Sequence, residues 1–249
     1  MTELPTIIVP ARLESTRFER KLMYKIEGKP LIIWTAERIK KEAPDLELYF
    51  AVDDTLLSDC LSSYGFKSVI TRKEHTSGTD RLAEANETIG ADWVINVQGD
   101  EPLIQGVQIQ LIAKNLVDKA AMVTLATPFK SAEDFHNPNH VKVVCDTKGR
   151  ALYFSRAAIP FVRDLKGSMT EEWLASNPCY KHIGLYGYSA DFLNKFVASK
   201  KGFLENAEKL EQLRVLEQGH KIFVGISKEG TIGIDTIEDI EAFKEYLTS

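Results

Sequence analysis

The first half of the chain alternates short apolar runs with longer amphipathic segments. The run at 6–9 is apolar and predicts a short buried strand, and the runs at 48–52 and 67–70 predict two further strands. In the segments between them, apolar residues recur at helical spacing. Pro30 suits the start of one such helix, and Gly65 suits the end of the next. This repeated alternation of strand and helix predicts a mostly parallel sheet with helices on both faces.

The second half of the chain has a different pattern. Apolar runs at 141–145 and 151–154 flank Asp146-Thr147-Lys148-Gly149, a sequence typical of a hairpin turn. The other elements predicted from about residue 79 onward are helices beginning near 79 and over 105–119, 205–218 and 236–247, and strands over 94–97, 121–127, 179–189 and 221–226. We predict that the section 130–190 is an antiparallel extension lying over the open edge of the parallel sheet, where it supplies a substrate lid, a dimer face, or both.

Composition limits the classes of protein that the chain can belong to. With 44% hydrophobic and 27% charged residues, its usage is that of a globular protein. A net charge of −5 argues against general binding to nucleic acids or membrane surfaces, although it allows a local basic pocket. Cys60, Cys145 and Cys179 are scattered, which favours reduced thiols. We find no signal peptide and no apolar run of transmembrane length, and we expect a cytoplasmic protein.

An abrupt change from apolar to polar residues follows the predicted strand 94–97. Its next residues are Gln98-Gly99-Asp100-Glu101-Pro102, and the proline prevents further strand pairing. The carboxyl ends of strands are where open α/β sheets bind their ligands. Asp100 is therefore a candidate metal ligand. The alternative is that it caps the turn or the next helix, and the local sequence leaves both possibilities open.

The loop after the first strand is rich in hydrogen-bond donors. Arg12, Ser15, Thr16, Arg17 and Lys21 combine positive charge with hydroxyl groups, a set that suits an anionic polyphosphate. The alternative is a solvated basic loop. The sequence has no GxxxxGK[ST] motif and no GxGxxG motif after the first strand, which argues against a P-loop and weakens a dinucleotide-binding interpretation.

A second acidic candidate lies close to the carboxyl terminus of the chain. Asp235 follows a glycine and an isoleucine, and Glu238 lies three residues further on. This spacing resembles a capping box at the start of the last helix. Alternatively, Asp235 shares divalent cations with Asp100, between the phosphate oxygens of a substrate.

Seven strings, in order along nearly the whole chain, resemble the family of 3-deoxy-D-manno-octulosonate cytidylyltransferases, or CMP-Kdo synthetases. They are Pro10-Ala11-Arg12 followed by Ser15-Thr16-Arg17-Phe18, Ser77-Gly78-Thr79-Asp80-Arg81, Asn96-Val97-Gln98-Gly99-Asp100-Glu101-Pro102, Ala151-Leu152-Tyr153-Phe154-Ser155-Arg156, His182-Ile183-Gly184-Leu185-Tyr186, Leu210-Glu211-Gln212-Leu213-Arg214 and Asp235-Thr236. Each string alone is a weak signal, whereas seven in order are specific.

The resemblance implies a Mg²⁺-dependent enzyme that joins CTP to the anomeric hydroxyl of Kdo or a close analogue and releases pyrophosphate, for lipopolysaccharide biosynthesis. It implies a homodimer and a nucleotide-diphospho-sugar-transferase-like α/β fold, Rossmann-like in its mostly parallel sheet. The single domain then has a nucleotide-binding core, at about 1–129 and 219–249, and a sugar-binding and dimerisation part at about 130–218.

The resemblance also implies roles for individual residues. Those for nucleotide binding are Pro10, Ala11, Arg12, Arg17, Lys21, Thr71, Ser77, Gly78 and Gln98. Those for sugar binding are Gln98, Arg156, His182, Tyr186, Glu211 and Gln212. Asp100 and Asp235 are the implied Mg²⁺ ligands, and both act in catalysis with Arg12 and Lys21. From the residues alone, the structural interpretations are the commoner ones: Arg156 as a brace for a helix or dimer contact, His182 as a core histidine and Glu211 as an exposed helix residue.

One segment departs from the family pattern. The family usually has Leu-Pro-Gly-Lys where this chain has Phe18-Glu19-Arg20-Lys21. The exchange removes a rigid turn and a residue that accepts positive φ, and it adds a carboxylate. We expect an altered presentation of Lys21, with Arg20 as a residue that shares or takes its role. The alternatives for function are a cytidylyltransferase for the 8-amino analogue of Kdo or another acidic sugar and, more distantly, a non-catalytic nucleotide-binding protein.

Overall fold

The computed structural model describes residues 4–15, 18–231, 233–234 and 236–248. The strands are β1 (Thr6–Ala11), β2 (Lys25–Ile26), β3 (Lys29–Pro30), β4 (Leu48–Val52), β5 (Lys67–Ile70), β6 (Trp93–Asn96), β7 (Met122–Pro128), β8 (Lys142–Cys145), β9 (Ala151–Ser155), β10 (Tyr180–Ser189) and β11 (Phe223–Ile226). The helices are α1 (Leu31–Glu42), α2 (Thr55–Ser63), α3 (Gly78–Ile89), α4 (Gly106–Lys119), α5 (Ala132–His136), α6 (Glu171–Ser176), α7 (Ala190–Ala198), α8 (Phe203–Glu208), α9 (Gln212–Glu217) and α10 (Ile237–Thr248). A turn of 3₁₀ helix covers Lys21–Met23.

The main sheet has the strand order β11-β7-β10-β6-β1-β4-β5. Strands β5, β4, β1 and β6 pair in parallel, as do β11 and β7. All six residues of β1 are buried, as expected for a strand covered on both faces. The predicted mostly parallel α/β sheet is confirmed.

Strand β10 departs from the prediction for the second half of the chain. It enters the interior of the sheet and pairs antiparallel with both β6 and β7, instead of lying over the open edge. Only its first residues, Tyr180 and Lys181, also pair with β8 of the predicted β8–β9 hairpin. Gly187 permits this interior position, because a Cβ there would lie 2.6 Å from Ile112 Cγ2 on α4.

Helices pack on both faces of the sheet. One apolar cluster joins the sheet to α1, α2, α4 and α10 through residues such as Ile33, Leu57, Ile112 and Phe243. A second joins the other face to α3, α7 and α9 through residues such as Leu82, Phe192 and Leu213. No helix within the described ranges is long and apolar enough to cross a membrane.

Two predicted helix boundaries need correction. The helix expected over 205–218 is divided into α8 and α9, because Lys209 adopts the left-handed conformation with φ 54°. At α10, the N-terminus is capped by Thr236 and Asp239: Asp239 N donates to Thr236 Oγ1, and Thr236 N donates to Asp239 Oδ2. The capping box therefore lies one residue later than predicted for Asp235 and Glu238.

The segment that departs from the family pattern keeps a left-handed residue. Arg20 has φ 49° and ψ 37°, at the position where the family usually has glycine. Its guanidinium lies 3.6 Å from Glu14 Oε1 at the surface. For a residue with a Cβ, this backbone conformation costs roughly 1–2 kcal/mol. The chain thus carries a local strain that a glycine would relieve.

We expect Arg20→Gly to raise the free energy of unfolding by about 0.5–1 kcal/mol, since relief of the left-handed strain exceeds the added backbone entropy of the unfolded chain. Urea denaturation measures the change. Glu19→Gly is the matched control, because Glu19 is exposed and has a negative φ. The control should lose about 0.5 kcal/mol. Equal losses in both variants would contradict the strain at Arg20.

Candidate active site

A cleft of about 330 Å³ opens where β1 and β6 end and α3 begins. It is lined by Pro10, Ala11, Arg12, Ser15, Lys21, Leu22, His75, Thr76, Ser77, Gly78, Arg81, Gln98, Gly99 and Asp100. Three strings that are far apart in the sequence therefore meet here, at the carboxyl edge of the parallel strands. The structure brings together the predicted nucleotide-binding residues Pro10, Ala11, Arg12, Lys21, Ser77, Gly78 and Gln98, with the candidate metal ligand Asp100 beside them.

Lys21 and Asp100 form the central ion pair of the cleft. Lys21 Nζ donates to Asp100 Oδ2 over 2.5 Å and to the carbonyl oxygen of Ile234 over 2.7 Å. Ile234 N in turn donates to the carbonyl oxygen of Asp100 over 2.9 Å. Despite the altered segment before it, Lys21 is directed into the cleft, whereas Arg20 is directed toward Glu14 at the surface. Arg20 is not among the residues that line the cleft, and the expectation that it shares or takes the role of Lys21 stays a prediction.

The carboxylate of Asp100 is not used as a helix cap. The N-cap residue of α4 is Gln105, whose backbone N–H donates to Gln108 Oε1. The side chain of Asp100 is 30% exposed at the cleft and accepts from Lys21. The capping alternative for Asp100 is therefore wrong. Asp235 and Arg17, which were predicted to act at the same site, lie outside the described residues.

Glu101 is a buried carboxyl group that the sequence analysis did not single out. It is 8% exposed, and its Oε2 has no hydrogen-bond partner among the described residues. Burial, with a smaller contribution from the charge of Asp100, raises the pKa of Glu101 to about 8. The side chain is therefore mainly protonated at neutral pH. The local sequence indicates only a polar turn at Glu101. It does not show that Gly233, which is distant in sequence, lies close to the Glu101 side chain.

Beneath the cleft, a polar cluster holds the start of α3 against β4. Arg81, which is 3% exposed, donates to Asp53 Oδ2 and to the hydroxyl of Thr71. The other Asp53 oxygen accepts from Leu13 N. Thr71 is itself buried, and its hydroxyl donates to Val52 O. Thr71 therefore lies below the cleft lining, where its hydroxyl supports Arg81, and not on the predicted nucleotide surface.

His75 is a cleft residue that the sequence analysis did not select. Its Nε2 lies in close contact with Glu84 Oε2, and Glu84 also accepts from Arg72. Despite desolvation, which acts in the opposite direction, the hydrogen bonds from His75 and Arg72 lower the pKa of Glu84. The imidazole is thereby oriented from behind by a charged carboxylate. In the sequence, His75 stands between two polar loop residues, and this pattern does not indicate a functional histidine.

Two separate sets of polar contacts lie between the cleft and the implied sugar-site residues. Gln98 Nε2 donates to Asn96 Oδ1 over 3.3 Å. On α3, Thr79 Oγ1 donates to Glu211 Oε2 over 2.7 Å, and Arg214 lies 3.4 Å from the other Glu211 oxygen. Burial raises the pKa of Glu211. Glu211 is thus a half-buried, hydrogen-bonded group and not an exposed helix residue.

His182 and Tyr186 lie in a half-buried aromatic cluster on β10. The ring of His182 lies 5.1 Å from that of Phe154 and 5.4 Å from that of Tyr186. His182 Nε2 and the hydroxyl of Thr124 are 2.9 Å apart. Burial lowers the pKa of His182 to about 3 and raises the pKa of Tyr186 well above its usual range. His182 therefore has the surroundings of a neutral core histidine.

The remaining implied sugar residues lie beside this cluster, outside the lining of the nucleotide cleft. Gln212 is buried at the start of α9. Arg156 follows β9, and its Nε donates to Glu208 O over 2.8 Å. Of the implied sugar residues only Gln98 lines the cleft, while Glu211 and Tyr186 contact Thr79 and Asn96 next to it.

Comparison with known proteins agrees with this arrangement. A sequence model of the family described as cytidylyltransferase matches residues 6–222. A 3-deoxy-manno-octulosonate cytidylyltransferase of Geotalea uraniireducens (strain Rf4) is 44% identical over 97% of this chain and 98% of its own length. That of Aliivibrio fischeri (strain MJ11) is 44% identical over 98% of both chains. The chain belongs to the 3-deoxy-manno-octulosonate cytidylyltransferase family.

Solved structures extend the comparison to three dimensions. A CMP:2-keto-3-deoxy-manno-octonic acid synthetase complexed with CTP has a TM-score of 0.89 and 34% identity, and the match covers 99% of each chain. A 4-diphosphocytidyl-2C-methyl-D-erythritol synthase from Anaerococcus prevotii DSM 20548 has a TM-score of 0.63 at 16% identity, covering 98% of this chain and 99% of its own, and shares the fold. The predicted nucleotidyltransferase fold is confirmed.

We expect acid to destabilise the protein through His182. The unfolded histidine binds a proton near pH 6.5, whereas the folded one does so only near pH 3. Stability is therefore lost as the pH falls below about 6.5, by roughly 1 kcal/mol per pH unit. His182→Phe should remove this loss while keeping an aromatic ring in the cluster.

Urea denaturation at pH 7, 6, 5 and 4 measures this effect. His136→Gln is the matched control, since His136 is exposed, and it should keep the wild-type pH dependence. If wild-type protein and His182→Phe lose stability equally on acidification, burial of a neutral His182 is contradicted.

Proposed function

We propose that this protein transfers CMP from CTP to the anomeric hydroxyl of Kdo, giving CMP-Kdo and pyrophosphate. The observation that carries the proposal is the Lys21–Asp100 pair, held over 2.5 Å inside a cleft at the carboxyl edge of the sheet. A cation and an anion at this edge suit a substrate that brings both phosphate charge and a metal ion. The names of the family members described above support the same reaction.

The two sides of the cleft suit different parts of a nucleoside triphosphate. Arg12, Ser15 and Lys21 line one side and offer charged and hydroxyl donors to phosphate oxygens. Ser77 and Gly78 begin α3 on the other side. There the Ser77 hydroxyl accepts from Asp80 N, and a Cβ at Gly78 would lie 3.3 Å from Pro10 Cγ. This narrow wall favours a flat base whose amino and carbonyl edges meet the backbone.

The residues at the cleft fit a Mg²⁺ ion bound together with substrate phosphates. Among the described residues no group of three or more His, Cys, Asp or Glu side chains forms a metal site. Mg²⁺ in nucleotide enzymes usually needs only one or two carboxylates plus substrate oxygens. Asp100 supplies one, and Asp235 directly follows Ile234, which is hydrogen-bonded to the backbone of Asp100. We therefore propose Asp100 and Asp235 as the two protein ligands.

The chemistry proposed is in-line attack by the oxygen of the sugar hydroxyl on the α-phosphorus. The bond from this phosphorus to the pyrophosphate oxygen breaks, and the hydroxyl proton is released to solvent. Lys21 and Arg12 neutralise negative charge that grows on the phosphate oxygens. When bound, Mg²⁺ would supply Lewis-acid stabilisation of the same charge and lower the pKa of the attacking hydroxyl. Arg156 would hold the sugar carboxylate, and Gln98, His182, Tyr186, Glu211 and Gln212 would surround the sugar hydroxyls.

The proposal includes the homodimer that the family resemblance implies. Three large apolar side chains in the 130–218 part of the chain are exposed: Leu152 at 62%, Phe161 at 71% and Phe203 at 77%. They are candidates for burial in the proposed dimer contact, because exposed apolar surface commonly marks protein–protein contacts when it is contiguous.

A substrate panel tests the reaction directly, with pyrophosphate release as the readout. CTP, UTP, ATP and GTP are each combined with Kdo, its 8-amino analogue and a nine-carbon sialic acid. We expect release from CTP with Kdo, and little or none from the other nucleotides. Release only with the 8-amino analogue or with another acidic sugar would replace the sugar in the proposal. Nucleotide binding without release from any sugar would mean a non-catalytic protein.

Removal of one proposed metal carboxylate should slow turnover strongly. We expect Asp100→Asn and Asp235→Asn each to lower kcat at saturating Mg²⁺ at least about 100-fold, on the order of 3 kcal/mol of barrier. Asp92→Asn is the matched control, because Asp92 is exposed just before β6, at the opposite end of the strand that leads to Asp100. Near-normal turnover in either site variant would refute the two-carboxylate model.

A further inference from the structure

Main-chain carbonyl groups hold the guanidinium of Arg156. Arg156 Nε donates to Glu208 O over 2.8 Å, and Nη1 donates to Pro138 O over 3.2 Å. No carboxylate of the described residues lies within ion-pair distance of this guanidinium, and no described hydrogen bond uses its Nη2. Its positive charge is therefore oriented by neutral acceptors and has no ion-pair partner among the described residues. Such a group is prepared for a carboxylate that comes from outside the chain.

The carbonyl that receives Nη1 belongs to a loop that a buried lysine holds in place. Lys142 on β8 has no exposed surface. Its ammonium donates to Asn137 O over 3.0 Å, to His140 O over 2.7 Å and to Arg156 O over 2.6 Å. All three N–H donors of this group are thus used on main-chain oxygens. Lys142 connects the loop 137–140 directly to the backbone of Arg156.

A second charged group holds the same backbone from the opposite side. Glu208 Oε2 accepts from Arg156 N over 2.8 Å, and Glu208 Oε1 accepts from Ser155 Oγ over 2.6 Å. Ser155 Oγ also accepts from Ala157 N over 3.0 Å. Residue 156 is therefore fixed at its N–H, its carbonyl oxygen and its guanidinium.

Stability alone is a poor account of a fully buried ammonium. Burial of this charge lowers the pKa of Lys142, because desolvation opposes the charged form. An apolar side chain of similar volume would occupy the same space without that penalty. The ammonium donates hydrogen bonds to three carbonyl oxygens and holds them in one fixed arrangement around Arg156. An apolar side chain could not form these hydrogen bonds.

We propose that Lys142 and Glu208 are positioning residues that fix Arg156 for the carboxylate of the sugar acid. This inference rests on the proposed function, in which Arg156 binds that carboxylate. It goes further, because two residues outside the implied site are now proposed to orient the guanidinium that binds the sugar. Neither Lys142 nor Glu208 lines the nucleotide cleft. Their loss should therefore weaken sugar binding while leaving CTP binding intact.

The kinetic test compares Lys142→Met with Val143→Ala. Val143 is the adjacent buried residue of β8, and as the next residue of a strand its side chain points to the opposite face. We expect Lys142→Met to raise KM for the sugar acid at least tenfold, with kcat within about threefold and the Kd for CTP within about twofold of wild type. Val143→Ala should change KM for the sugar less than threefold. Equal effects of the two variants on KM would overturn the proposal.

Glu208 provides an independent pair of variants if Lys142→Met does not fold. Glu208→Gln keeps an oxygen for Arg156 N and an amide that can donate to Ser155 Oγ, so KM for the sugar should stay within about threefold of wild type. Glu208→Ala loses both contacts and should raise KM at least tenfold. If alanine and glutamine give the same KM, positioning by Glu208 is refuted.

Hydrogen exchange followed by mass spectrometry separates this inference from the proposed function. In Lys142→Met or Glu208→Ala, the amides of Arg156 and Ala157 should exchange at least fivefold faster than in Val143→Ala. Unchanged exchange would overturn the positioning role whatever the substrate is. If wild-type protein turns over no sugar acid, the proposed function fails, and faster exchange still supports the hold on Arg156.

Discussion

The ammonium of Lys21 joins three parts of the chain that are far apart in sequence. Its two described acceptors, Asp100 Oδ2 and Ile234 O, lie 79 and 213 positions away. The Lys21 side chain is only 9% exposed, so its charge depends on these acceptors for the solvation it has lost. Loss of one partner would leave a poorly solvated charge at the centre of the cleft. The shape of the cleft and the charge of its lining therefore depend on the same contact.

Helix α3 gives the nucleotide cleft and the sugar-site residues a common support. Ser77 and Gly78 face the cleft, while the next residue, Thr79, donates to Glu211 on the other side. Strand β10 completes the connection, since Tyr186 is paired with Asn96, which accepts from Gln98. A displacement of α3 would move both sets of residues together. The interior position of β10 is what makes this connection possible, because a strand over the edge of the sheet would not reach Asn96.

The sequence was sufficient for features that depend on neighbouring residues. The apolar runs located the parallel strands, and the polar change after Val97 located Asp100 at a strand end. The features that it missed depend on distant contacts. The place of β10 is set by its two neighbours and by close packing at Gly187. Thr71 resembled a nucleotide contact until Arg81 and Val52 O were seen to occupy its hydroxyl. Glu101 stands in a polar turn of the sequence, and the local pattern does not show that Gly233 lies close to its side chain.

The segment before Lys21 departs from the family pattern, yet Lys21 still reaches the cleft. In the family pattern, proline restricts φ at one position of this turn, and glycine accepts the positive φ at the next. Here the turn is fixed by contacts instead: Lys21 N donates to Phe18 O, Met23 N donates to Arg20 O, and the rings of Phe18 and Tyr24 lie 5.0 Å apart. Backbone hydrogen bonds and aromatic packing thus offset a strained residue at position 20. Because these contacts lie on either side of Lys21, they hold its backbone in the turn from which its ammonium reaches Asp100.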